Sequence, residues 1–386
     1  MTLASRRPHV ERAALRRAVV DRASAPGPLL VAGPPGSGKT TLLLEAHDAL
    51  ATAGWQPVTL DLMGAASSPE RFVLAALAAM PASLFGARLA EATAIRRLAA
   101  QGKKGAAPAV EALFALWSSL HEAGGRPVAL LFDEATEIRS LAYFAGLREV
   151  DRLFGAAMAR RRRGTILTTS YPTQARRRWP AWETLPLPPL LPAEVTALAR
   201  DVRADPDALA RACGGSPRYL HALWDALDRG EGIEDAWAEE MRLGGRLEQA
   251  ARQTYETLLL RSRGYGMSKA LLGAVAEDEG LNLTALVGRI GRSPGAVRDY
   301  LGWLLGVDVL RVARKRYFFV DPVVRWWVRL HARGTAAREA EIAAAAREVI
   351  HPAVESEAAA GEPATTASAP GPTPALPRAD TLMEID

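Results

Sequence analysis

The stretch LLVAGPPGSGKTT, residues 29–41, constrains this chain more than any other. Four apolar residues lead into a Gly/Pro-rich turn, after which Gly38, Lys39, Thr40 and Thr41 open a helical pattern. Gly33 and Gly38 frame the spacing G-x-x-x-x-G-K-[ST], in which glycines let backbone N–H groups converge on a polyphosphate at a helix N-terminus. The candidate phosphate contacts are therefore Gly33, Pro34, Pro35, Gly36, Ser37, Gly38, Lys39, Thr40 and Thr41. Lys39 is placed to reach the β- and γ-phosphates, and the Thr40 hydroxyl is placed for Mg²⁺. The fold class this requires is an α/β P-loop NTPase, a parallel sheet flanked by helices, with ATP and Mg²⁺ as cofactors.

A second informative element is PVALLFDE, residues 127–134. A continuous apolar run suits a parallel strand buried on both faces, and in a P-loop fold such a strand lies beside the phosphate loop. Asp133 would then bind Mg²⁺ through its water shell and Glu134 would orient or deprotonate the attacking water. Residues 165–169, TILTT, form a further strand leading to Ser170. Thr169 and Ser170 are candidates to touch the γ-phosphate or the water; a hydroxyl satisfied inside the strand is the competing reading.

Around these motifs the chain divides into four parts: a P-loop core (1–188), a helical lid (189–245), a second module (246–331) and an acidic tail (332–386). Within the core, the pattern predicts an amphipathic helix over 9–24, a helix over 40–52 and a strand over 56–62. Residues 67–125 are mostly helical, interrupted by an exposed loop at 101–108 (QGKKGAAP) whose Lys103 and Lys104 read as a solvated tip. Residues 137–163 read as helical, and 183–187 as a last short strand.

In the lid, Asp205-Pro206 and Ser216-Pro217 each place an N-cap residue before a helix-starting proline, and Gly214-Gly215 ends the helix between them. Pro217 and Arg218 fall in the first turn of the following helix, from which Arg218 can swing towards a nucleotide. In the second module a helix, a turn, a capped helix from Ser293-Pro294 and a basic hairpin give the outline of a winged helix. The tail becomes Pro/Ala/Thr/Ser-rich, and residues 352–386 read as disordered.

Charge is unevenly placed. The formal net charge is +5, yet residues 334–386 carry three arginines and nine acidic groups, net −6, which leaves +11 on the rest. Arginine outnumbers lysine 43 to 5, a background bias that weakens arginine runs as evidence for nucleic acid. The single cysteine, Cys213, excludes an intrachain disulfide. With no signal-like start and no apolar run of membrane-spanning length, the expectation is a soluble, cytoplasmic protein without membrane contact. Six scattered histidines and the absence of a G-x-S-x-G elbow argue against metallohydrolase and serine-hydrolase chemistry.

The succession GPPGSGKT, LLFDE, TILTTS, arginines, a lid with GGSPR, then a module ending in Asp321, Pro322, Trp326 and Trp327 resembles the AAA+ ATPases and their STAND relatives. More narrowly, it is similar to the archaeal-type ATPase family. The resemblance covers roughly residues 9–331 and implies a Mg-dependent ATPase, with Lys39, Glu134, Thr169 and Ser170 at the reaction and Pro217 and Arg218 as lid contacts. It further implies an ATP-dependent homo-oligomer in which a neighbour's arginine completes the site. Arg177, within Arg176 to Arg178, is the candidate and Arg160 to Arg163 the second choice, a solvated charge being the plain alternative. The Gly-Arg-Glu that precedes the first helix in that family has no clear counterpart at His9 to Arg12. The winged helix implies double-stranded DNA as partner, through Arg292, Arg298, Arg311, Arg314, Lys315 and Arg316. The alternative is a signalling switch whose module packs on the ATPase core and whose output is a protein partner.

Overall fold

The structure is a computed structural model that describes residues 12–260, 264–332, 334–335 and 337–352. Of the expected disordered stretch 352–386, residues 353–386 lie outside the described residues, as do residues 9–11 of the expected first helix. At the centre is a parallel sheet built from β1 (Leu29–Ala32), β2 (Gln56–Asp61), β4 (Arg126–Asp133), β5 (Thr165–Thr169) and β6 (Glu183–Pro186), in the order β2-β4-β5-β1-β6. The two-residue β3 (Glu122–Ala123) pairs antiparallel with the start of β4. β4 is not a direct neighbour of β1. β5 is inserted between them, paired to β1 from Leu29↔Ile166 to Ala32↔Thr169 and to β4 from Leu130↔Thr165 to Phe132↔Leu167.

All four residues of β1 and all five of β5 are buried, because helices cover both faces. On one face Val19, Leu42, Leu43, Ala46 and Leu50 pack with Trp55 against Val31, Leu131 and Ile166. On the other, Phe72, Phe114, Trp117, Phe132 and Phe154 form an aromatic cluster with ring centroids about 5–6 Å apart. These two layers hold the carboxyl ends of β1, β4 and β5 in one plane, which is where a ligand crevice forms in an open α/β sheet.

Two sequence expectations are corrected here. Residues 101–108 are not a loop: a helix runs Lys103–Ser119 with Pro108 inside it. Gly105 and Ala106 are buried, and a Cβ on Gly105 would sit 1.9 Å from the Leu98 carbonyl, so close helix packing explains the glycine that read as a loop signal. Lys103 and Lys104 are exposed, as expected of a solvated tip. Residues 137–163 are not one helix either. A 3₁₀ segment, Ala135–Tyr143, is followed by an exposed turn and then by the helix Val150–Ala159, leaving the four arginines outside it.

Beyond β6 the chain is helical from Pro192 to Met241. Next come helices Arg246–Leu260 and Tyr265–Glu277, the short β7 (Leu281–Asn282), helices Leu283–Ile290 and Pro294–Gly306, and a hairpin of β8 (Leu310–Ala313) and β9 (Arg316–Phe319). β7, β9 and β8 make a three-stranded antiparallel sheet. Helices Pro322–His331 and Glu339–Ile350 follow. One continuous apolar cluster takes in Tyr171 and then runs from Leu190 to Ile350, so the lid helices and the C-terminal module share a core. Among the described residues no helix is long and apolar enough to cross a membrane.

Candidate nucleotide site

The phosphate loop leaves β1 at Gly33, whose N–H donates to the Thr169 carbonyl at 3.2 Å, so the start of the loop is tied to β5. Gly36 (φ +81°) and Gly38 (φ +92°) occupy the left-handed region, which glycine enters without the Cβ penalty. That conformation turns the chain tightly enough to begin the helix Lys39–Thr52 directly. Lys39 is buried, and its Nζ donates to the Pro34 carbonyl (3.0 Å) and to Ser170 Oγ (2.8 Å), 3.4 Å from Glu134 Oε1. Burial lowers the Lys39 pKa, while the charges of Glu134 and Asp133 pull it back up.

The carboxyl end of β4 meets this loop across β5. Thr40 Oγ1 donates to Asp133 Oδ2 at 2.6 Å, and Thr168 Oγ1 donates to Asp133 Oδ1. Glu134 stands at φ +51°, its N–H donating to Thr168 Oγ1 at 3.0 Å. Its carboxylate accepts from the Ser170 N–H (2.8 Å) and from Ser170 Oγ. A lysine, three hydroxyls and two carboxylates thus converge beside the loop. The adjacent Thr40 and Asp133 oxygens are hard donors of the kind that Mg²⁺ takes from protein while keeping waters and phosphate oxygens as its other ligands.

The sequence expectations for β5 need one correction. Ser170 sits in the cluster, but Thr169 does not: its hydroxyl accepts from the Tyr171 N–H at 3.0 Å and pairs with Thr136 Oγ1 at 3.2 Å. Side chains alternate along a strand, so Thr168 points where Thr169 was expected. Thr41 is exposed, with Pro34 beside the loop likewise exposed.

The lid rests on the loop. Ser216 holds the N-cap position of its helix but does not cap it; its hydroxyl donates to the Gly36 carbonyl at 3.2 Å. Pro217 Cγ lies 3.9 Å from where a Gly38 Cβ would sit, and Arg218 Cβ lies 2.7 Å from where a Gly36 Cβ would sit. The Arg218 guanidinium is turned away from the loop onto the helix Arg246–Leu260, donating to Thr254 Oγ1 at 3.3 Å and to Gln253. Next to it, Tyr219 OH donates to Asp321 Oδ2 at 2.7 Å, and Pro322 packs against Gly214. Gly36→Ala is therefore expected to destabilise the protein by about 1–3 kcal/mol through left-handed strain and overpacking against Arg218. Urea denaturation checks this, and a change below 0.5 kcal/mol would show that lid and loop are not in the contact described.

Several arginines fall elsewhere than expected. Arg161 is 1% exposed and satisfies the interior, with Nη1 on the Trp117 (2.7 Å) and Leu120 (2.6 Å) carbonyls and Nη2 on Val128 (2.9 Å), so it cannot reach a neighbouring copy. Arg163 pairs with Glu122, and Arg178 with Asp151. Arg176 and Arg177 are exposed, with Arg177 Nη1 close to Gly306 of the C-terminal module. In the hairpin, Arg311 lies over the Phe318 ring (4.9 Å) and Arg316 donates to the Gly280 carbonyl (2.7 Å). Arg292, Arg298, Arg314 and Lys315 are exposed.

Two residues escaped the sequence reading. Arg12 is buried, donating to the Pro188 (2.9 Å) and Pro189 (2.7 Å) carbonyls and pairing with Glu194 (3.0 Å), which fixes the entry to the first helix on the strap between β6 and the lid. Asp308 reaches from the C-terminal module to Thr173. Neither has a local sequence signal, since both pair with residues more than a hundred positions away.

Residues 6–156 match the family model described as an AAA ATPase domain. The fold is that of a P-loop NTPase, and over these residues the sequence is similar to an AAA ATPase domain. No curated protein matches the sequence. Among solved structures, the Walker-type ATPase PABY2304 of Pyrococcus abyssi is similar over 84% of this chain and 97% of that one, at 16% identity and a TM-score of 0.60, so the two share a fold. The similarity to Cdc6p from Pyrobaculum aerophilum is more distant: 13% identity and a TM-score of 0.35 over 90% of this chain and 95% of that one.

Proposed function

We propose that the chain is a Mg-dependent ATPase whose lid closes over the phosphate loop and whose C-terminal module engages duplex DNA. The observation that carries the ATPase reading is the connected cluster of Lys39, Thr40, Asp133, Glu134 and Ser170. In this reading the loop N–H groups and Lys39 bind the β- and γ-phosphates of ATP. Glu134 takes the proton of the water that attacks the γ-phosphorus as the bond to the β-phosphate oxygen breaks. Ser170 fixes the Glu134 carboxylate, and Thr168 fixes Asp133. Thr40 and Asp133 hold Mg²⁺, which when bound neutralises charge on the phosphate oxygens.

Among the described residues no arginine side chain is recorded on this cluster, the Arg218 guanidinium being held by Gln253 and Thr254. This supports completion of the site by a second copy of the chain, with exposed Arg177 as the candidate. A trans arginine of this kind is worth about 10³–10⁵ in rate, so a lone subunit turns over slowly.

The order helix, short strand, two helices and hairpin reads as a winged helix, with Pro294–Gly306 as its recognition helix. The hairpin supports a DNA role. Arg314 (φ +49°) and Lys315 (φ +63°) form a two-residue turn in the left-handed region, where Asn-Gly would be unstrained. Two cations are kept at that tip at a cost of about 1–3 kcal/mol each. Arg311 and Arg316 are engaged within the module, so the DNA-facing set narrows to Arg292, Arg298, Arg314 and Lys315.

Reversing both tip charges, Arg314→Glu with Lys315→Glu, is expected to weaken duplex binding at least tenfold in low salt. The salt slope should fall by about 2, as two phosphate contacts are lost. Fluorescence anisotropy of a labelled duplex checks both, and unchanged affinity would rule out DNA binding through the hairpin. The switch reading, with a protein partner, has its own support in the core shared by lid and module. It would be preferred if ATP turnover did not respond to DNA.

A further inference from the structure

We propose that Asp308 is a positioning residue for the ATPase centre, acting from the C-terminal module through the helix Pro172–Arg178 on Ser170. The inference rests on the ATPase reading above. It starts from a helix that lacks its own cap: Tyr171, at the N-cap position of Pro172–Arg178, makes no side-chain capping bond. The missing acceptor comes from 135 residues away, where Asp308 Oδ2 accepts from the Thr173 N–H at 3.0 Å and Asp308 Oδ1 accepts from Thr173 Oγ1 at 2.5 Å.

Both ends of this link are held. Asp308 stands at φ +57° between buried Val307 and Val309, where the helix Pro294–Gly306 turns into β8. Burial raises the Asp308 pKa, against which the Thr173 bonds and the charges of Arg176 and Arg177 favour the carboxylate. At the other end, Thr173 is three residues past Ser170. The intervening Tyr171 is 1% exposed, with its N–H on Thr169 Oγ1. Ser170 in turn holds Glu134 through its N–H and its hydroxyl and receives Lys39.

Two charge-assisted hydrogen bonds from the module thus set where Ser170 sits, and Ser170 sets where the Glu134 carboxylate points. Coupling of this kind is reciprocal, so a nucleotide that orders Ser170 also tightens the grip on Asp308.

The test uses the full chain. Asp308→Gly removes the carboxylate while accepting the positive φ, so it spares the backbone strain that Ala would add. Its kcat is expected to fall tenfold or more, with the Kd of a fluorescent ATP analogue within twofold of wild type and one analogue bound per chain. Asp308→Asn, which keeps an acceptor for the Thr173 N–H, should restore most of the rate. Thr173→Ala added to Asp308→Gly should cost nothing more. A merely structural staple would lower bound stoichiometry and thermal stability without separating kcat from Kd. In parallel, AMP-PNP should slow amide exchange at residues 307–309 of wild type but not of Asp308→Gly.

A kcat for Asp308→Gly within twofold of wild type overturns the proposal. If wild type itself shows no turnover, the ATPase reading falls instead. The exchange response then decides: its loss in Asp308→Gly sustains the coupling, and its retention overturns it.

Discussion

Replacing Glu134 by Gln is expected to lower ATP turnover by about 10²–10⁴-fold, the range for losing a positioned general base, while ATP still binds. Gln keeps the shape of the side chain, and its carbonyl oxygen can still accept from the Ser170 N–H, which lies 2.8 Å from the carboxylate now. Lys39 loses the charge 3.4 Å away but retains Pro34 and Ser170 as partners. The proposed phosphate contacts are backbone N–H groups and Lys39, none of which the substitution removes, so the loss should appear in kcat and leave the Kd for ATP within a few-fold. Steady-state phosphate release together with equilibrium nucleotide binding separates the two. A variant that lost binding and turnover together would place Glu134 in the cradle instead of at the reacting water.

The largest effect on stability is expected from Arg161→Met. The guanidinium is enclosed in the core, its Nε on Thr165 Oγ1 at 3.0 Å and its other nitrogens on the main-chain carbonyls of Trp117, Leu120 and Val128, with longer bonds to those of Arg163 and Gly164. Burial pushes its pKa down to about 10, which still leaves it charged at neutral pH. Met fills much of the volume but donates nothing, so the Trp117, Leu120 and Val128 carbonyls lose a donor in an apolar interior. Each orphaned group costs about 1–3 kcal/mol, part of which relaxation recovers, giving an expected loss of about 3–5 kcal/mol. Urea denaturation reads this directly. A loss under 1 kcal/mol would mean that water reaches those carbonyls and that Arg161 is not what closes the end of the sheet.

The same residue shows where sequence ran out. Four consecutive arginines carry no mark that says which enters the core, because that depends on β4 and the helix Lys103–Ser119 bringing their carbonyls together. The phosphate loop and β4 were legible because their physics is local: a phosphate cradle needs glycines at fixed spacing, and a strand covered on both faces needs an unbroken apolar run. The helix start at Lys103 was not, since Gly and Pro signal a loop unless a neighbouring helix demands a residue without a side chain. Thr168 and Thr169 differ only in which side of β5 they face, and register is fixed by partners that sequence does not display. Ser216 carries a capping signature yet spends its hydroxyl on Gly36, a choice made by the lid's contact with the loop.

Asp308 belongs to the same class. Its bond to Thr173 exists only because the C-terminal module packs where it does, and it links that module to the end of β5. If the link matters, the effect of a ligand on the module should be felt at Glu134 without any direct contact, and the hairpin charges and the ATPase centre should respond to each other.

The most direct measurement is phosphate release from ATP in the presence of Mg²⁺, by wild type and Lys39→Ala, over a range of protein concentrations with and without duplex DNA. The expected result is Mg-dependent release by wild type, rising per subunit as the concentration allows copies to assemble, and none by Lys39→Ala. Wild-type protein that binds ATP stoichiometrically yet releases no phosphate at any concentration, with or without DNA, would contradict the assignment of this site as an ATPase.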